Sequence, residues 1–263
     1  MSARNFLVRG LLAGLVAGIV AFGVAFVIGE PTLDAAISLE ESGTAGHSHA
    51  DEAGGTVPAH SHGEEPVVPR SLQSTLGLLT GTVVAGVTLG GLTGVLSALA
   101  LGRFGRVGPR ATTLGVAFAG FVALYVMPSL AYPPSPPAVG SADTIGYRTA
   151  LYFILMAISV LAVVVAVLLG RRLAPRWGGW YATLAAVAGY LVITLLAIAL
   201  LPTFNEVPDS FPAVVLFEFR RSSFVTQLAL WTVLGVVLAD LVGRLADRAQ
   251  PVATRADPAV VTP

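Results

Sequence analysis

The chain contains no cysteine and no lysine. Without thiols it forms no disulfide framework, no thiolate metal site and no cysteine nucleophile, so a bound metal falls to His, carboxylate, carbonyl or Met ligands. Charge is scarce as well. Only 11% of residues are charged, where a soluble globular chain carries about a quarter. Fifteen arginines balance fifteen acids, which leaves no global basic field and argues against nucleic acid as a partner. Also missing are a Walker A pattern, a dinucleotide-binding glycine fingerprint after a strand, G-x-S-x-G and H-E-x-x-H. Soluble-type ATPase or hydrolase chemistry is not expected, and no catalytic residue is assigned. What the chain has in abundance is apolar surface, at 55% of its 263 residues.

Six runs approach the length of about 20 apolar residues that a helix needs to cross a bilayer. They are Phe6 to Ile28, Leu76 to Leu101, Ala111 to Met127, Thr149 to Gly170, Trp180 to Leu201 and Ser223 to Gly243. The first exceeds the roughly 7 to 15 residues of a signal-peptide core and meets Gly29-Glu30-Pro31 rather than a small-residue cleavage site, so it reads as a retained helix. Arginine placement supplies an orientation, because positive residues near span ends stay cytoplasmic. Arg4, Arg9, Arg103, Arg106, Arg110, Arg171, Arg172, Arg176, Arg244, Arg248 and Arg255 alternate with connections that hold only Arg70, Arg148, Arg220 and Arg221. The expectation is an all-α integral membrane protein, a bundle of about six transmembrane helices with both termini cytoplasmic, placed multi-pass in the plasma membrane. It divides into an N-terminal tail and first helix (1–28), an external acidic loop (29–71), a five-helix bundle (72–243) and a cytoplasmic tail (244–263).

Inside the spans, small residues stand out. Gly10, Gly14 and Gly18 recur every fourth residue in the first run, as do Gly86, Gly90 and Gly94 in the second. That spacing lets helix backbones approach closely in lipid, which points to packing. Thr82, Gly86, Gly90, Thr93 and Ser97 share one helical face, which fits packing or the lining of a hydrated path. Ionisable groups are almost absent from the spans, Asp240 being the main exception, so no buried proton relay is evident. Gln227 is the clearest polar side chain within a span; it suits an interhelical hydrogen bond or a place on a path.

The segment 29–71 breaks with the rest. Glu30, Asp34, Glu40, Glu41, Asp51, Glu52, Glu64 and Glu65 face a single Arg70, and such a field attracts cations. All four histidines of the protein lie here, as His47-Ser48-His49 and His60-Ser61-His62. Two H-x-H pairs on a Gly-, Ala- and Pro-containing stretch can gather imidazoles round one divalent ion, with nearby carboxylates filling other positions. A plain solvated acidic loop is the simpler alternative. Affinity order alone does not select the metal, since copper outranks cobalt on such ligands.

Two proline-rich connections offer further candidates: Tyr132-Pro133-Pro134-Ser135-Pro136-Pro137, and Pro202-Thr203-Phe204-Asn205-Glu206-Val207-Pro208. Asn205 and Glu206 supply hard oxygens for a path or entrance. Glu30 stands at the outer end of the first span in the same possible role. Glu218 is spaced for an ion pair with Arg221.

The Gly29-Glu30-Pro31 exit, the GHSH…HSH segment, PPSPPAVG at 133–140 and LPTFNEVP at 201–208 together resemble the CbtA family of predicted cobalt-transporter subunits, from Arg4 through Gly243. The resemblance implies uptake of divalent cobalt serving cobalamin synthesis, alongside a small single-span CbtB-like membrane subunit. It carries the metal-collecting role to His47, His49, His60 and His62, and more weakly a role to Glu30, Asn205 and Glu206.

The expected function is thus a non-enzymatic membrane subunit that takes up a divalent transition metal, cobalt first and nickel or zinc as alternatives, with no tightly bound cofactor. Its partners are the metal ion, the lipid bilayer and the single-span subunit. The alternative is a membrane metal sensor or scaffold that transports nothing.

Overall fold

The computed structural model describes residues 2–48, 69–103, 105 and 107–249. Helices account for the secondary structure, with no strand among the described residues. In chain order they are α1 (Ala3–Val24), α2 (Glu30–Ser48), α3 (Arg70–Leu72), α4 (Leu78–Ala100), α5 (Pro109–Phe121), α6 (Met127–Ala131), α7 (Ile145–Leu200) and α8 (Ala213–Ala249). Wider π-turns at Ala25–Gly29, Gln73–Gly77 and Val122–Val126 join α1 to α2, α3 to α4 and α5 to α6. The composite helices make five stretches long and apolar enough to cross a membrane among the described residues: Ala3–Ser42, Arg70–Ala100, Pro109–Ala131, Ala142–Leu200 and Ala213–Arg248.

Two of the π-turns have a cause in the sequence. A proline inside a helix has no N–H to donate and presses its ring on the carbonyl four residues earlier. Pro31 follows the turn Ala25–Gly29 and Pro128 follows Val122–Val126, so in each case the widened turn contains the carbonyl that the ring opposes. Widening relieves that clash and lets the helix continue. The chain from residue 29, expected to leave the membrane as a loop, therefore stays helical through Ser48.

The fourth and fifth expected spans fall on the two limbs of α7, joined across one non-helical residue, so five long apolar stretches stand where six runs were expected. Straight, the 56 residues of α7 would reach about 84 Å at 1.5 Å per residue, far beyond a hydrocarbon core of about 30 Å. Instead α7 reverses. Pro175 lies inside it, and Gly178 has φ 75° and ψ 162°, a backbone conformation that favours glycine. The two limbs pack on each other. The Ser159 and Tyr190 hydroxyls hydrogen-bond at 2.7 Å, and a β-carbon on Gly170 would lie 3.3 Å from that of Ala186.

The tightest contact in the bundle joins α1 and α4, which run antiparallel. Gly10 meets Gly90, Gly14 meets Gly86 and Gly18 meets Thr82. A β-carbon on Gly18 would stand 2.7 Å from the Thr82 carbonyl oxygen, and one on Gly90 2.7 Å from the Gly14 Cα. In lipid, where tails are as apolar as leucine, such close approach supplies the van der Waals attraction that drives association. Thr93 and Ser97, on the same side of α4, are buried, and the Ser97 hydroxyl donates to the Thr93 carbonyl at 2.7 Å. α8 then closes the core: Leu230, Trp231, Leu234, Leu238 and Val242 cluster with Phe6, Ala13, Ala17 and Ala21 of α1 and Phe121 of α5. Outward faces carry exposed apolar residues such as Leu12, Ile19, Leu92, Leu161 and Leu196, the surface a lipid solvent requires.

Charged side chains sit toward the helix ends. At one end Arg110 pairs with Asp247 and Arg244 with Asp240, at 2.8 and 2.7 Å. The other end holds Arg70 with Glu30 and Asp34, and Arg148 with Glu206.

Candidate functional site

The end of the bundle that carries Arg70 brings together three groups of polar residues. The first stands where α2 meets α3. Glu30 and Asp34, one turn apart on α2, both bind the Arg70 guanidinium: Nη2 bonds Glu30 Oε2, and reaches Asp34 Oδ1 at 2.8 Å while Nε reaches it at 3.1 Å. The Glu30 carboxylate is nearly buried, its side chain only 11% exposed, so Arg70 supplies the counter-charge its desolvation demands. Two residues further on, the Thr32 hydroxyl donates to the Gly29 carbonyl at 2.8 Å and lies 3.2 Å from the Ser222 hydroxyl of α8. Neither Arg70 nor Asp34 was singled out by sequence as a partner of Glu30. The lone arginine in an acidic segment was the available signal.

His47 falls in the last residues of α2; His49, His60 and His62 lie outside the described residues. Nineteen residues of α2 extend about 28 Å, so this helix carries the backbone at His47 well away from the Glu30–Arg70 clasp.

The second group centres on Gln227 of α8. It lies on the helix face of Leu234 and Leu238, seven and eleven residues on, whose side chains are fully buried. Gln227 itself is half-buried. An amide thus stands on the inward face of α8.

The third group joins the two proline-rich connections, and here the side chains do converge. Glu206 Oε2 accepts from the Ser141 N–H at 2.8 Å and the Thr144 hydroxyl at 2.8 Å, and lies 3.4 Å from Arg148 Nε. The Ser141 N–H above all, then the Thr144 hydroxyl and more weakly Arg148, hold its carboxyl below the ordinary value of 4.5 against the opposing pull of burial. Arg148 lies over the Phe204 ring, 5.9 Å from its centroid, and Phe204 stacks on Tyr132 at 5.4 Å. The Tyr132 hydroxyl donates to the Pro202 carbonyl at 2.9 Å, tying one connection to the other. Gly140, at φ 105°, leaves room for the guanidinium that a β-carbon there would strike. A cavity of about 40 Å³ remains, lined by Arg148, Arg220, Phe204, Asn205 and Glu206 among others. Neither Glu30 nor Gln227 lines it. The ion pair expected between Glu218 and Arg221 is not formed; both side chains are exposed.

Among the described residues, no three His, Asp or Glu side chains stand close enough to hold a metal ion. The described bundle therefore offers single oxygen ligands and a clasped carboxylate pair, and a multidentate transition-metal centre there would need the histidine-bearing segment. The sequence profile of the CbtA family, described as probable cobalt transporter subunit, matches residues 3–243. No curated protein and no solved structure gives a match.

Proposed function

From the premise that this chain belongs to the CbtA family of probable cobalt transporter subunits, we propose that it collects divalent cobalt on the segment bearing His47, His49, His60 and His62 and passes it into the helix bundle. A multi-pass membrane protein of a transporter family is the frame for that reading. The observation that carries it is the confinement of every imidazole in the chain to residues 47–62, between two flanks that Arg70 joins through Glu30 and Asp34 at the start of α2. Cobalt and imidazole suit one another, and ligation uses the neutral ring. From the collector the ion moves inward along α8, where Gln227 offers an amide oxygen on the inward face. Two charges crossing the whole field of an inward-negative potential gain about 4.6 kcal/mol per 100 mV, so uptake down that gradient needs no nucleotide site. α7 crosses twice, once with each limb, and the arginine-rich end faces the cytoplasm. A small single-span subunit completes the assembly.

Labelled cobalt uptake tests this, in cells expressing the protein alone, with the single-span subunit, and with the four histidines replaced together by Ala. At limiting cobalt the quadruple variant is expected to accumulate several-fold less than wild type. Equal accumulation removes the collector role, and loop-dependent binding without any intracellular accumulation makes the protein a sensor instead.

A further inference from the structure

The cavity between the proline-rich connections is built for the opposite sign of charge. Arg148 carries five N–H donors, and among the described residues its only hydrogen bond runs from Nη2 to the Ser141 carbonyl at 3.3 Å. Its Nε is buried without a hydrogen-bond partner, the 3.4 Å separation from Glu206 being an ion pair without an aligned hydrogen bond. Arg220 reaches the Pro134 carbonyl from Nε at 3.4 Å and has no carboxylate partner among the described residues. Two guanidinium groups thus line one small cavity with most of their N–H groups unmatched. Glu206, the one carboxylate in the lining, is already committed to Ser141, Thr144 and Arg148.

A cation in this space would face two positive groups for one occupied carboxylate. An oxyanion would meet donors in the forked geometry that guanidinium presents to phosphate and carboxylate. The volume of about 40 Å³ exceeds the roughly 10 to 15 Å³ that a single water needs. The cavity also lies where α6 ends and α7 and α8 begin, the level at which apolar helices give way to phosphate headgroups. We propose that Arg148 and Arg220 form a binding site for a phosphate-class oxyanion, supplied by a lipid headgroup or by free phosphate. Asn205 and Glu206 then belong to the wall of an anion site and not to a cation entrance. The proposal stands on this cavity alone and is independent of the metal transported.

The full-length protein, purified in detergent and stripped of lipid, is titrated with inorganic phosphate while its melting temperature is followed. In parallel, its retention of phosphatidylglycerol against phosphatidylcholine is read by native mass spectrometry. R220Q removes one donor set without touching the caged Arg148, and N205D adds a carboxylate to the lining. R221Q, an exposed neighbour outside the cavity, is the control. If free phosphate is the ligand, it raises the wild-type and R221Q melting temperatures, with half-effect at about tenfold higher concentration in R220Q and N205D. If the headgroup is the ligand, phosphate is inert and phosphatidylglycerol retention falls about tenfold in those two variants alone. Indifference of wild type to both probes overturns the site, as does a loss in R221Q equal to that in R220Q, which would mark general surface charge.

Discussion

Gly14 and Gly86 meet backbone to backbone: a β-carbon on either would press into the other's carbonyl oxygen. The contact is reciprocal and flanked one turn away by Gly10 with Gly90 and by Gly18 with Thr82. It leaves no room for a side chain along this seam. G14V or G86V is expected to force α1 and α4 apart and to lower stability by about 1 to 3 kcal/mol. Thermal unfolding in detergent measures this, with G23A and G81A as comparisons, since a β-carbon at either meets nothing within 4 Å. Equal melting temperatures for all four variants would contradict the seam.

The reversal of α7 rests on Gly178. At φ 75° and ψ 162° an alanine is strained by about 1 to 3 kcal/mol, so G178A is expected to melt earlier than wild type. G179A, where a β-carbon meets nothing within 4 Å, is the comparison. The Ser159–Tyr190 bond links the limbs, and S159A, which leaves the buried phenol without its partner, is expected to cost about 1 to 3 kcal/mol. A helix that ran straight would show neither effect.

Glu206 gives the structure a pH dependence of known sign. Its carboxyl is held below 4.5 in the folded protein, by the Ser141 N–H first. A lowered native value means that the stabilisation is fully present above the unfolded value and disappears as pH falls through the native one. The melting-temperature gap between wild type and E206Q is therefore expected to be steady near neutrality and to close only below pH 4.5. A gap that closes near neutrality would contradict the assignment.

Cobalt capture by the histidine segment carries a second, separate pH dependence. Because imidazole binds metal in its neutral form, capture is expected to weaken as pH falls through about 6.5. The variant with all four histidines replaced is expected to lose that inflection, which uptake measured across the range reads directly.

Much of the architecture was legible because it is written in local composition. Apolar runs marked the long helices, and the fourfold glycine spacing marked the seam between α1 and α4. At α7 the two expected runs, ending at Gly170 and resuming at Trp180, match its limbs, but the connection between them is tighter than a loop, with helical hydrogen bonding on both sides of the one non-helical residue, Gly178. Residues 30–48 read as loop because Pro31 and the acids suggested an exit, and the π-turn that accommodates the proline has no composition of its own. The anion cavity could not be read at all. Arg148 lies at the start of the long α7 stretch, Glu206 beyond its opposite end and Arg220 on α8, and the stacking of Tyr132 on Phe204, the Glu206 bonds to Ser141 and Thr144 and the turn at Gly140 bring them together. The signal that was available, arginines on connections otherwise poor in them, served only as an orientation cue.

Arg70 grips Glu30 and Asp34 at once, so the first turn of α2 and the start of α3 share one charged anchor. One guanidinium thus fastens two stretches of chain that lie 36 residues apart in sequence, and removing it would strand a nearly buried carboxylate and unlock both stretches at once.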